Sequence, residues 1–474
     1  MRLLPPWLVV LMVWAAIYLP ALGSFEIKSE EGRRILPAMA MMESGNYLVP
    51  QIGSDTYFSK PPLVNWLVAA SFKLFGIRTE WTARLPSVLA VLGVAVAFLT
   101  VGRASLGLTG SAIAAIVWLT TLGIIEKGRL IEIEAVYVSL SAIATICWLS
   151  WWLGKRSAWL TWTVPWIWLG LGWLAKGPVH LIFFYAVVVA VLWRTKQLKA
   201  LLHPAHFVGV ALMLGMFAAW AIPFLQASGQ SRGLTKWSSQ FTGRSSLEYF
   251  NLRALFSTLV RAIGQFLPWL IFVPFIRFSR FADDNEKPLA KAIAWSALLP
   301  VLIVSLFPVS AARYSLPAAA PFCWLMASAF CGNAFALIRS PAPTGLTMWN
   351  RVGLPLALVI ALGASIAFPV RAHLRSKGNK VKNVAEEVNR VVPAGQTLYA
   401  IDPGYQPFLF YVKAHIKYVD AAEQLPVRAR YLLVREPRGG KDPNIEKAIP
   451  NAKVIGRITD YRGETVTVFE RPSS

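Results

Sequence analysis

Apolar segments long enough to cross a lipid bilayer recur along most of the chain, and they constrain its fold more than any other feature. A membrane helix needs roughly 17–25 mainly apolar residues. Because 56% of the 474 residues are hydrophobic and only 15% are charged, a soluble fold cannot bury this surface. We predict an α-helical polytopic membrane protein with about eleven transmembrane helices, centred on 6–23, 86–102, 108–125, 134–152, 158–175, 178–193, 206–225, 262–276, 290–308, 315–337 and 352–370.

The loops between these windows indicate the orientation of the chain. Basic residues gather in alternate loops, which is typical of the cytoplasmic side. With a cytoplasmic amino terminus, the segments outside are 24–85, 126–133, 176–177, 226–261, 309–314 and everything after 371. The net charge of +23 therefore reflects loops that face a membrane, and we expect membrane lipids and no nucleic acid as partners. Residues 1–23 also suit a cleavable signal peptide, which leaves residue 24 outside in either case.

The loop 24–85 carries an unusual series of sequence motifs. Glu30-Glu31 precede an arginine pair, and MMESGNYLVP, YFSKPPLVNWL, LFG and ARLPS follow in that order. Two stretches have the spacing of amphipathic helices that lie at a membrane surface: one includes Met39 and Met42, and the other Leu63, Trp66, Leu67, Ala70 and Leu74. Such helices would frame a cavity at the outer leaflet, open to a lipid substrate.

Further motifs accompany other windows. They are Arg129 with Glu132 and Glu134, LAKGP at 174–178, LPW at 267–269, and RYSLP at 313–317. All except LPW fall at outward ends of predicted spans. The series closely resembles the polytopic glycosyltransferases that use polyprenyl-phosphate sugars, including the lipid A aminoarabinose transferases and the protein O-mannosyltransferase-like family.

This resemblance implies a GT-C fold in the bacterial inner membrane. It also implies transfer of a sugar from its polyprenyl phosphate, such as undecaprenyl phosphate, to an envelope acceptor on the periplasmic face, usually with inversion at the anomeric carbon. The acceptor can be lipid A, a protein or a glycan of the cell envelope. The sequence specifies neither the sugar nor the acceptor.

The resemblance assigns catalytic roles to carboxylates. An attacking hydroxyl needs a base within hydrogen-bond reach, and we predict Glu30 or its neighbour Glu31, where the family commonly has Asp. Glu134 is the second catalytic candidate, because its spacing from Arg129 matches better than that of Glu132. The alternatives are solvated or helix-capping carboxylates at 30–31, and for Glu134 a structural ion pair with Arg129 or Lys127.

Cations are expected to bind the donor phosphate. Lys60 is the first candidate because Pro61 and Pro62 fix the backbone beside it and remove two competing N–H donors; the alternative is a lysine that extends to the membrane surface. The other predicted phosphate or acceptor ligands are Arg33, Lys176, Arg244 and Arg313. Predicted substrate-lining residues are Tyr57, Trp66, Glu132 and Tyr314, although the aromatic ones also suit an interfacial belt.

The sequence gives little support for a metal or another cofactor. Some aminoarabinose transferases have an acidic residue directly before the lysine of the KPP motif, where this chain has Ser59. The five histidines form no cluster in sequence, and the three cysteines lie within apolar segments. We therefore predict no cofactor and no required metal, with a divalent metal as the alternative.

Two domains are expected. Residues 1–370, including the loop 24–85, form the transmembrane catalytic domain, and residues 371–474 form a small periplasmic α/β domain. The segments TLYAID, PFLFYV, IKYVD, ARYLLV and TVTVFE suggest strands, and KNVAEEVNRVV suggests a helix. Because the resemblance is weakest here, acceptor recognition by this domain is only a hypothesis.

Two other functions remain open at the level of sequence. A transporter or flippase of a polyprenyl-linked sugar also needs many spans, but it places ionisable groups near the bilayer midplane. The candidates here gather at the outward side, which favours the enzyme. An inactive scaffold is the other alternative, because Glu replaces the family's usual Asp at position 30.

Overall fold

The structure is a computed structural model, and it describes residues 4–229, 235, 251–281, 286–307, 310–336, 346–376, 378, 380–436, 452–460 and 462–472. The chain divides into two compact units. The first comprises Met1–Leu22, Ser59–Leu63 and Arg84–Pro369. The second comprises Gly23–Phe58, Val64–Ala83 and Val370–Ser474.

The first unit is helical. Its α-helices are α1 Pro6–Tyr18, α4 Glu80–Ala97, α5 Arg103–Thr120, α6 Leu122–Gly128, α7 Ile133–Leu153, α8 Ala158–Ala175, α9 His180–Arg194, α10 Pro204–Ser228, α11 Leu252–Gly264, α12 Glu286–Ser305, α13 Ala319–Cys331 and α14 Leu354–Ser376. Helix α4 begins in the second unit and runs into the first. Short 3₁₀ segments at Trp269–Phe275 and Ala312–Ala318 follow α11 and precede α13.

The length and composition of these helices confirm a multi-pass membrane protein. In the described part of the chain, six helices are long and apolar enough to cross a bilayer: Glu80–Thr120, Ile133–Leu153, Pro204–Ser228, Glu286–Ser305, Ala312–Cys331 and Trp349–Arg375. A bent pair, Leu252–Gly264 with Trp269–Phe275, makes a seventh if it is one span. The number eleven therefore stays a prediction.

Two features explain much of the difference from eleven. Glu80–Thr120 measures 41 residues and covers one predicted window, 86–102, and most of a second, 108–125. The backbone at Gly107, with φ 68° and ψ 176°, breaks the helical path inside it. The window 262–276 covers a bend of 95° rather than a straight helix. Two other windows correspond to the shorter apolar helices α1 and α9, of 13 and 15 residues.

The centre of the first unit is a cluster of tryptophans on α7 and α8. Trp148, Trp162 and Trp166 are almost fully buried, and the rings of Trp148 and Trp162 lie 5.7 Å apart. Helix α10 approaches α8 so closely that a Cβ on Gly209 would lie 2.1 Å from the Trp162 carbonyl oxygen. Glycine is required there because small residues let membrane helices pack at close range.

The second unit contains two helices of the first loop and the carboxyl-terminal domain. Its helices are α2 Gly32–Ser44, α3 Leu63–Phe75, most of whose residues belong to this unit, and α15 Val381–Val391. Strands β1 Gln51–Ile52 and β2 Asp55–Thr56 form an antiparallel hairpin. A five-stranded sheet follows, made of β3 Thr397–Ile401, β4 His415–Val419, β5 Tyr431–Arg435, β6 Lys453–Thr459 and β7 Thr465–Glu470.

The sheet has the order β4-β3-β5-β7-β6, in which β3 is parallel to β4 and β5, and β7 is antiparallel to β5 and β6. Four predicted strands and the predicted helix are confirmed. PFLFYV is wrong: Pro407–Tyr411 is a 3₁₀ turn whose successive residues Pro407, Phe408 and Leu409 are all buried, whereas a strand would bury alternate ones. We did not predict strand β6 from the sequence, because it is largely exposed and lacks an apolar run.

The helices predicted at 39–42 and 63–74 both exist, but they differ in exposure. Helix α2 is buried from Arg34 to Met41, with Met42 half-buried, so protein covers much of the face that we expected lipid to cover. Helix α3 leaves Leu74 80% exposed and Trp66 half-buried. The amphipathic pattern therefore identified both helices, but not what covers each face.

The first loop is fastened to the carboxyl-terminal residues within the second unit. The Glu26 carboxylate accepts hydrogen bonds from the backbone N–H groups of Lys380 and Val381, at 3.0 and 2.8 Å, where α15 begins. The Tyr411 hydroxyl accepts from the Ile27 N–H at 2.6 Å. By its contacts, most of the loop groups with the residues after 370. The two domains 1–370 and 371–474 stay a prediction.

Candidate active site

In the second unit, Glu30 stands in a short 3₁₀ turn, Ser29–Glu31, that leads directly into α2. Its carboxylate lies 3.4 Å from the Arg33 Nη1 and 3.5 Å from the Arg34 Nη2, one helical turn further on. The Glu30 side chain is 38% exposed, whereas Glu31 is buried. Of the two adjacent carboxylates, Glu30 is therefore the one that an incoming group can reach.

Arg34 also belongs to this cluster, although the sequence led us to predict only its neighbour Arg33 as a ligand. Its side chain is only 6% exposed, and its Nη1 donates to the Tyr57 hydroxyl at 2.7 Å. Asn65 donates to the Arg34 carbonyl at 2.8 Å, and within the described residues the buried Arg34 Nε has no hydrogen-bond partner. The sequence shows the pair Arg33-Arg34, but only the structure shows that Arg34 is buried and Arg33 is half-exposed.

The predicted lining residues of the loop fall into two groups. Tyr57 belongs to the Glu30 cluster through Arg34, whose guanidinium also lies 5.8 Å from the Tyr57 ring centroid. Trp66 instead donates from its indole to the Tyr47 carbonyl at 2.8 Å. The structure therefore connects Tyr57 with the candidate base and gives Trp66 a local structural contact.

In the first unit, Glu134 is the centre of a second charged cluster. It lies in the first turn of α7, and its side chain is only 8% exposed. One of its oxygens, Oε1, accepts from the Lys176 Nζ at 3.1 Å and from the Arg313 Nε at 2.9 Å. Two cations therefore share one carboxylate, and Glu132 lies near enough to act electrostatically on Arg313 as well.

Aromatic rings hold Lys176 in this cluster. Its ammonium lies 4.2 Å from the centroid of the Tyr314 ring and 5.0 Å from that of Tyr137. The Arg313 guanidinium lies 5.7 Å from the same Tyr314 ring. The motifs LAKGP and RYSLP, far apart in sequence, therefore meet at Glu134.

Glu132 forms a separate ion-pair group. Lys127 lies 3.2 Å from the Glu132 carboxylate and 2.8 Å from that of Glu126. Burial raises the pKa of Glu132, and the nearby Lys127 opposes that shift without cancelling it. Lys127 is therefore committed to these two carboxylates and is not the structural partner that we considered for Glu134.

Arg129, the other partner considered for Glu134, is also occupied elsewhere. It donates to the backbone carbonyl oxygens of Ile17 and Pro20, and its guanidinium lies 3.7 Å from the centroid of the Phe368 ring. Both pairings offered as alternatives are therefore wrong, since the partners of Glu134 are Lys176 and Arg313.

A cavity of about 280 Å³ lies beside these clusters, close to the smallest volume typical of ligand pockets, roughly 300 Å³. It is lined by Glu126, Lys127, Thr258, Arg261, Gln265, Ser310, Ala311, Ala312 and Arg313. Three of these side chains are cationic and one is anionic. Arg261 was not singled out from sequence, because it lies within α11 and outside every motif.

The remaining predicted ligands have the following positions. Lys60 lies half-buried in the first unit, in the bend that precedes α3. Arg244 lies outside the described residues. Over the ranges that the structure describes, no group of three or more His, Cys, Asp or Glu side chains could hold a metal ion, and the prediction on metals is not tested by that finding.

Comparisons with known proteins agree with this architecture. A family described as dolichyl-phosphate-mannose-protein mannosyltransferase matches residues 59–222. An uncharacterized protein of Aquifex aeolicus (strain VF5) is 26% identical over 283 residues, which cover 57% of this chain and 60% of that protein.

An undecaprenyl phosphate-alpha-4-amino-4-deoxy-L-arabinose arabinosyl transferase of Pectobacterium carotovorum (strain PC1) is 26% identical over 392 residues. The match covers 78% of this chain and 66% of that protein. The chain thus matches a little under two thirds of the length of these two curated relatives.

Among solved structures, the chain resembles ArnT from Cupriavidus metallidurans bound to undecaprenyl phosphate. The TM-score is 0.70 at 16% sequence identity, over 98% of this chain and 97% of that one. This likeness shows the fold. The chain is a multi-pass membrane protein with the GT-C fold of ArnT, and its sequence is similar to those of glycosyltransferases that include undecaprenyl-phosphate aminoarabinose transferases.

Proposed function

We propose that this protein is an integral membrane glycosyltransferase that moves a sugar from a polyprenyl-phosphate donor to an envelope acceptor. We place the reaction on the periplasmic face of the bacterial inner membrane, with the amino terminus in the cytoplasm and the residues after 371 outside. The acceptor is a lipid such as lipid A, a protein or a glycan. The named relative and the matched family are both transferases, which favours this function over the transporter.

The observation that carries the proposal is the group of cationic side chains along the cavity in the first unit. Lys127, Arg261 and Arg313 line it together with Glu126. Lys127 and Arg313 are paired with carboxylates, whereas Arg261 bonds to Ser257 and is the cation that a phosphate would meet. A phosphate group suits such a surface, because guanidinium and ammonium groups form charge-assisted hydrogen bonds with its oxygens. The leaving group of the proposed reaction is a lipid phosphate, so cations here would stabilise its charge as the sugar departs.

Glu134 and its two partners would then organise cations rather than move a proton. The carboxylate fixes Lys176 and Arg313 in position through one shared oxygen. Held this way, the cations need little rearrangement when the phosphate develops charge, which is the basis of electrostatic preorganisation. This role modifies our prediction that Glu134 is catalytic: it becomes a positioning group for donor binding.

Glu30 is the better candidate for the base. For a hydroxyl acceptor, the oxygen forms a bond to the anomeric carbon while the bond from that carbon to the phosphate oxygen breaks, and the hydroxyl proton passes to the carboxylate. Exposure of Glu30 and burial of Glu31 support this choice. Lys60, on the rigid KPP segment, remains a proposed phosphate ligand, as does Arg244.

The test is direct assay of sugar transfer. Purified protein in lipid nanodiscs is incubated with radiolabelled polyprenyl-phosphate sugars and envelope extracts that contain lipid A, protein and glycan. We expect the wild type to release label from one donor into one acceptor class. If no donor loses its sugar, the proposed function is wrong.

Two variants with matched controls assign the roles. Glu30→Gln is compared with Glu43→Gln, a carboxylate of the same loop that forms an exposed pair with Arg78. Lys60→Ala is compared with Lys73→Ala, whose ammonium lies over the Tyr47 ring. We expect loss of activity in the first member of each pair only; equal activity within a pair refutes that assignment.

The orientation can be tested by labelling with a membrane-impermeant maleimide in spheroplasts. Cysteine at Ser59 is expected to react from outside. Cys331, an exposed residue at the end of α13 on the predicted cytoplasmic side, is the internal control and is expected to stay unlabelled until the membrane is opened. Labelling of Cys331 but not of position 59 in intact spheroplasts would invert the proposed topology.

A further inference from the structure

The turn that carries Glu30 has a backbone conformation that must be held in place. Ser29 has φ 52°, in the left-handed region that residues other than glycine rarely adopt. Such a residue persists when its surroundings fix it, and it often stands at functional sites. Glu30 follows directly, so whatever holds Ser29 also controls where the Glu30 carboxylate points.

Tyr405, from the carboxyl-terminal part of the second unit, makes that contact. Its hydroxyl donates a hydrogen bond to the Ser29 carbonyl oxygen. A Cβ on Gly32 would lie 2.6 Å from the same hydroxyl oxygen, so glycine is needed for the tyrosine to approach. Tyr405 therefore packs against the turn at both ends of the Ser29–Gly32 segment.

The ring of Tyr405 also contacts the ion pair of Glu30. The Arg33 guanidinium lies 5.3 Å from the ring centroid, and the same arginine lies 3.4 Å from the Glu30 carboxylate. A second guanidinium, that of Arg462, lies 5.4 Å from the ring centroid. Tyr405 thus touches both the backbone before Glu30 and one of its two cations.

Tyr405 is itself fixed by its own neighbours. Arg462 donates to the Tyr405 carbonyl at 3.0 Å and to the Gln406 side-chain oxygen at 2.8 Å, while its Nε lies 2.6 Å from the Asp460 carboxylate. These bonds connect the tyrosine to the end of β6 and the turn that follows it. The turn of the first loop therefore contacts a tyrosine whose own backbone is bonded by Arg462, a residue that follows β6.

From these contacts we propose that Tyr405 is a positioning residue, which holds the Ser29–Gly32 turn and so sets the position of the Glu30 carboxylate. The inference rests on the proposed function, because it concerns the base of that reaction. It gives the carboxyl-terminal domain a part in catalysis that its sequence does not suggest. Tyr405 need not touch substrate for this role, since it acts through Glu30.

The test is a double-mutant cycle on sugar transfer. Tyr405→Phe keeps the ring and both cation contacts and removes only the hydroxyl, so we expect folding to be retained and kcat to fall about 10–100-fold, with KM for the donor nearly unchanged. In a Glu30→Gln background, the same substitution is expected to have little further effect, because the group that it positions is already gone. Tyr405→Ala is expected to lower kcat further.

Tyr411→Phe is the matched control. Its hydroxyl also joins the first loop to the carboxyl-terminal residues, by accepting from the Ile27 N–H, but it donates to Glu80 instead of to the Ser29 carbonyl oxygen. We expect it to lower the unfolding temperature without showing the coupling to Glu30. Thermal unfolding of every variant is measured beside its kinetics.

The outcomes separate the two proposals. If wild type transfers no sugar, the proposed function fails. If wild type is active and Glu30→Gln is about 10²–10⁴-fold slower, but Tyr405→Phe is as active as wild type, the positioning role is refuted. Equal losses from Tyr405→Phe in the wild-type and Glu30→Gln backgrounds refute it as well, since they indicate a purely structural effect. If Glu30→Gln keeps full activity, both the base and its positioning residue are wrongly assigned.

Discussion

Two glutamates, one in each unit, each lie near two cations, yet their surroundings differ. Glu30 is 38% exposed and lies 3.4 and 3.5 Å from its two arginines. Glu134 is 8% exposed, and a single oxygen accepts from Lys176 at 3.1 Å and from Arg313 at 2.9 Å. The carboxylate of the first cluster is half-exposed and has the longer contacts, and that of the second is buried and has the shorter ones.

The difference in exposure suits the two carboxylates to different roles, a base and a group that positions cations. A base must be reached by its substrate, and the Glu30 side chain is 38% exposed. A buried carboxylate with two short cation contacts keeps those cations aligned. The comparison therefore predicts a catalytic defect at one site and a folding defect at the other.

The largest expected effect is that of Glu134→Ala. It removes the buried carboxylate that pairs with Lys176 and Arg313, whose side chains are 12% and 37% exposed. Removing one partner of a buried pair costs about 3–5 kcal/mol, and we expect the lower end of that range because solvent screens the Arg313 contact. We expect a clear fall in the unfolding temperature of the detergent-purified protein together with loss of activity. Glu43→Ala, in an exposed pair, serves as the control. A Glu134→Ala protein that unfolds like wild type would contradict the comparison.

Next in size is the catalytic effect of Glu30→Gln. Loss of a general base lowers rates by about 10²–10⁴-fold, and we expect this fall in kcat with an almost unchanged unfolding temperature. Glu31→Gln sharpens the test, because Glu31 is buried and is expected to change stability more than rate. The reverse result, with Glu31→Gln slow and Glu30→Gln active, would exchange their roles.

A smaller effect is expected inside the Glu30 cluster. Arg34→Met removes a buried guanidinium that donates to Tyr57 and Glu30, and we expect a loss of about 1–3 kcal/mol of stability. Arg33→Met removes a half-exposed partner, for which we expect about 1 kcal/mol or less. Chemical denaturation of both variants measures the difference. Equal losses would show that the two arginines are not distinguished by burial.

The smallest effect is expected from Arg78→Ala. The pair of Arg78 with Glu43, 3.0 Å apart, is exposed on both sides, and pairs of this kind contribute about 0.2–1 kcal/mol. We expect little change in unfolding temperature or in sugar transfer. A loss as large as that of Glu134→Ala would show that exposure does not determine the strength of the ion pairs in this protein.

Local patterns predicted much of the fold. Apolar windows identified membrane helices, because the hydrophobic period and the length of a span depend only on consecutive residues. The same holds for four strands of the sheet and for α15. Local pattern and burial disagree at Pro407–Tyr411, where successive side chains are buried and Phe410 stacks on Phe72 with the ring centroids 6.3 Å apart. A strand was therefore predicted there wrongly.

The sequence predicted several residues of the candidate site, but it did not predict which of them form ion pairs with one another. The motifs supplied Glu134, Lys176 and Arg313, yet the pairings that we considered for Glu134 involved nearby residues in the chain. Its actual partners stand 42 and 179 positions away. No sequence motif distinguishes three further residues of the candidate site, Arg34, Arg261 and Tyr405. Their roles follow only from their burial and contacts in the structure.

The sequence by itself therefore determined that the chain spans a membrane, which segments are helical, and which charged residues stand in motifs shared with a transferase family. Those properties depend on composition and spacing, which are local. Tertiary structure alone decided that the first loop joins the carboxyl-terminal residues, that Glu30 is reachable and Glu31 is not, and that two distant cations meet on Glu134. Burial and long-range pairing depend on how the whole chain packs, and no local pattern encodes them.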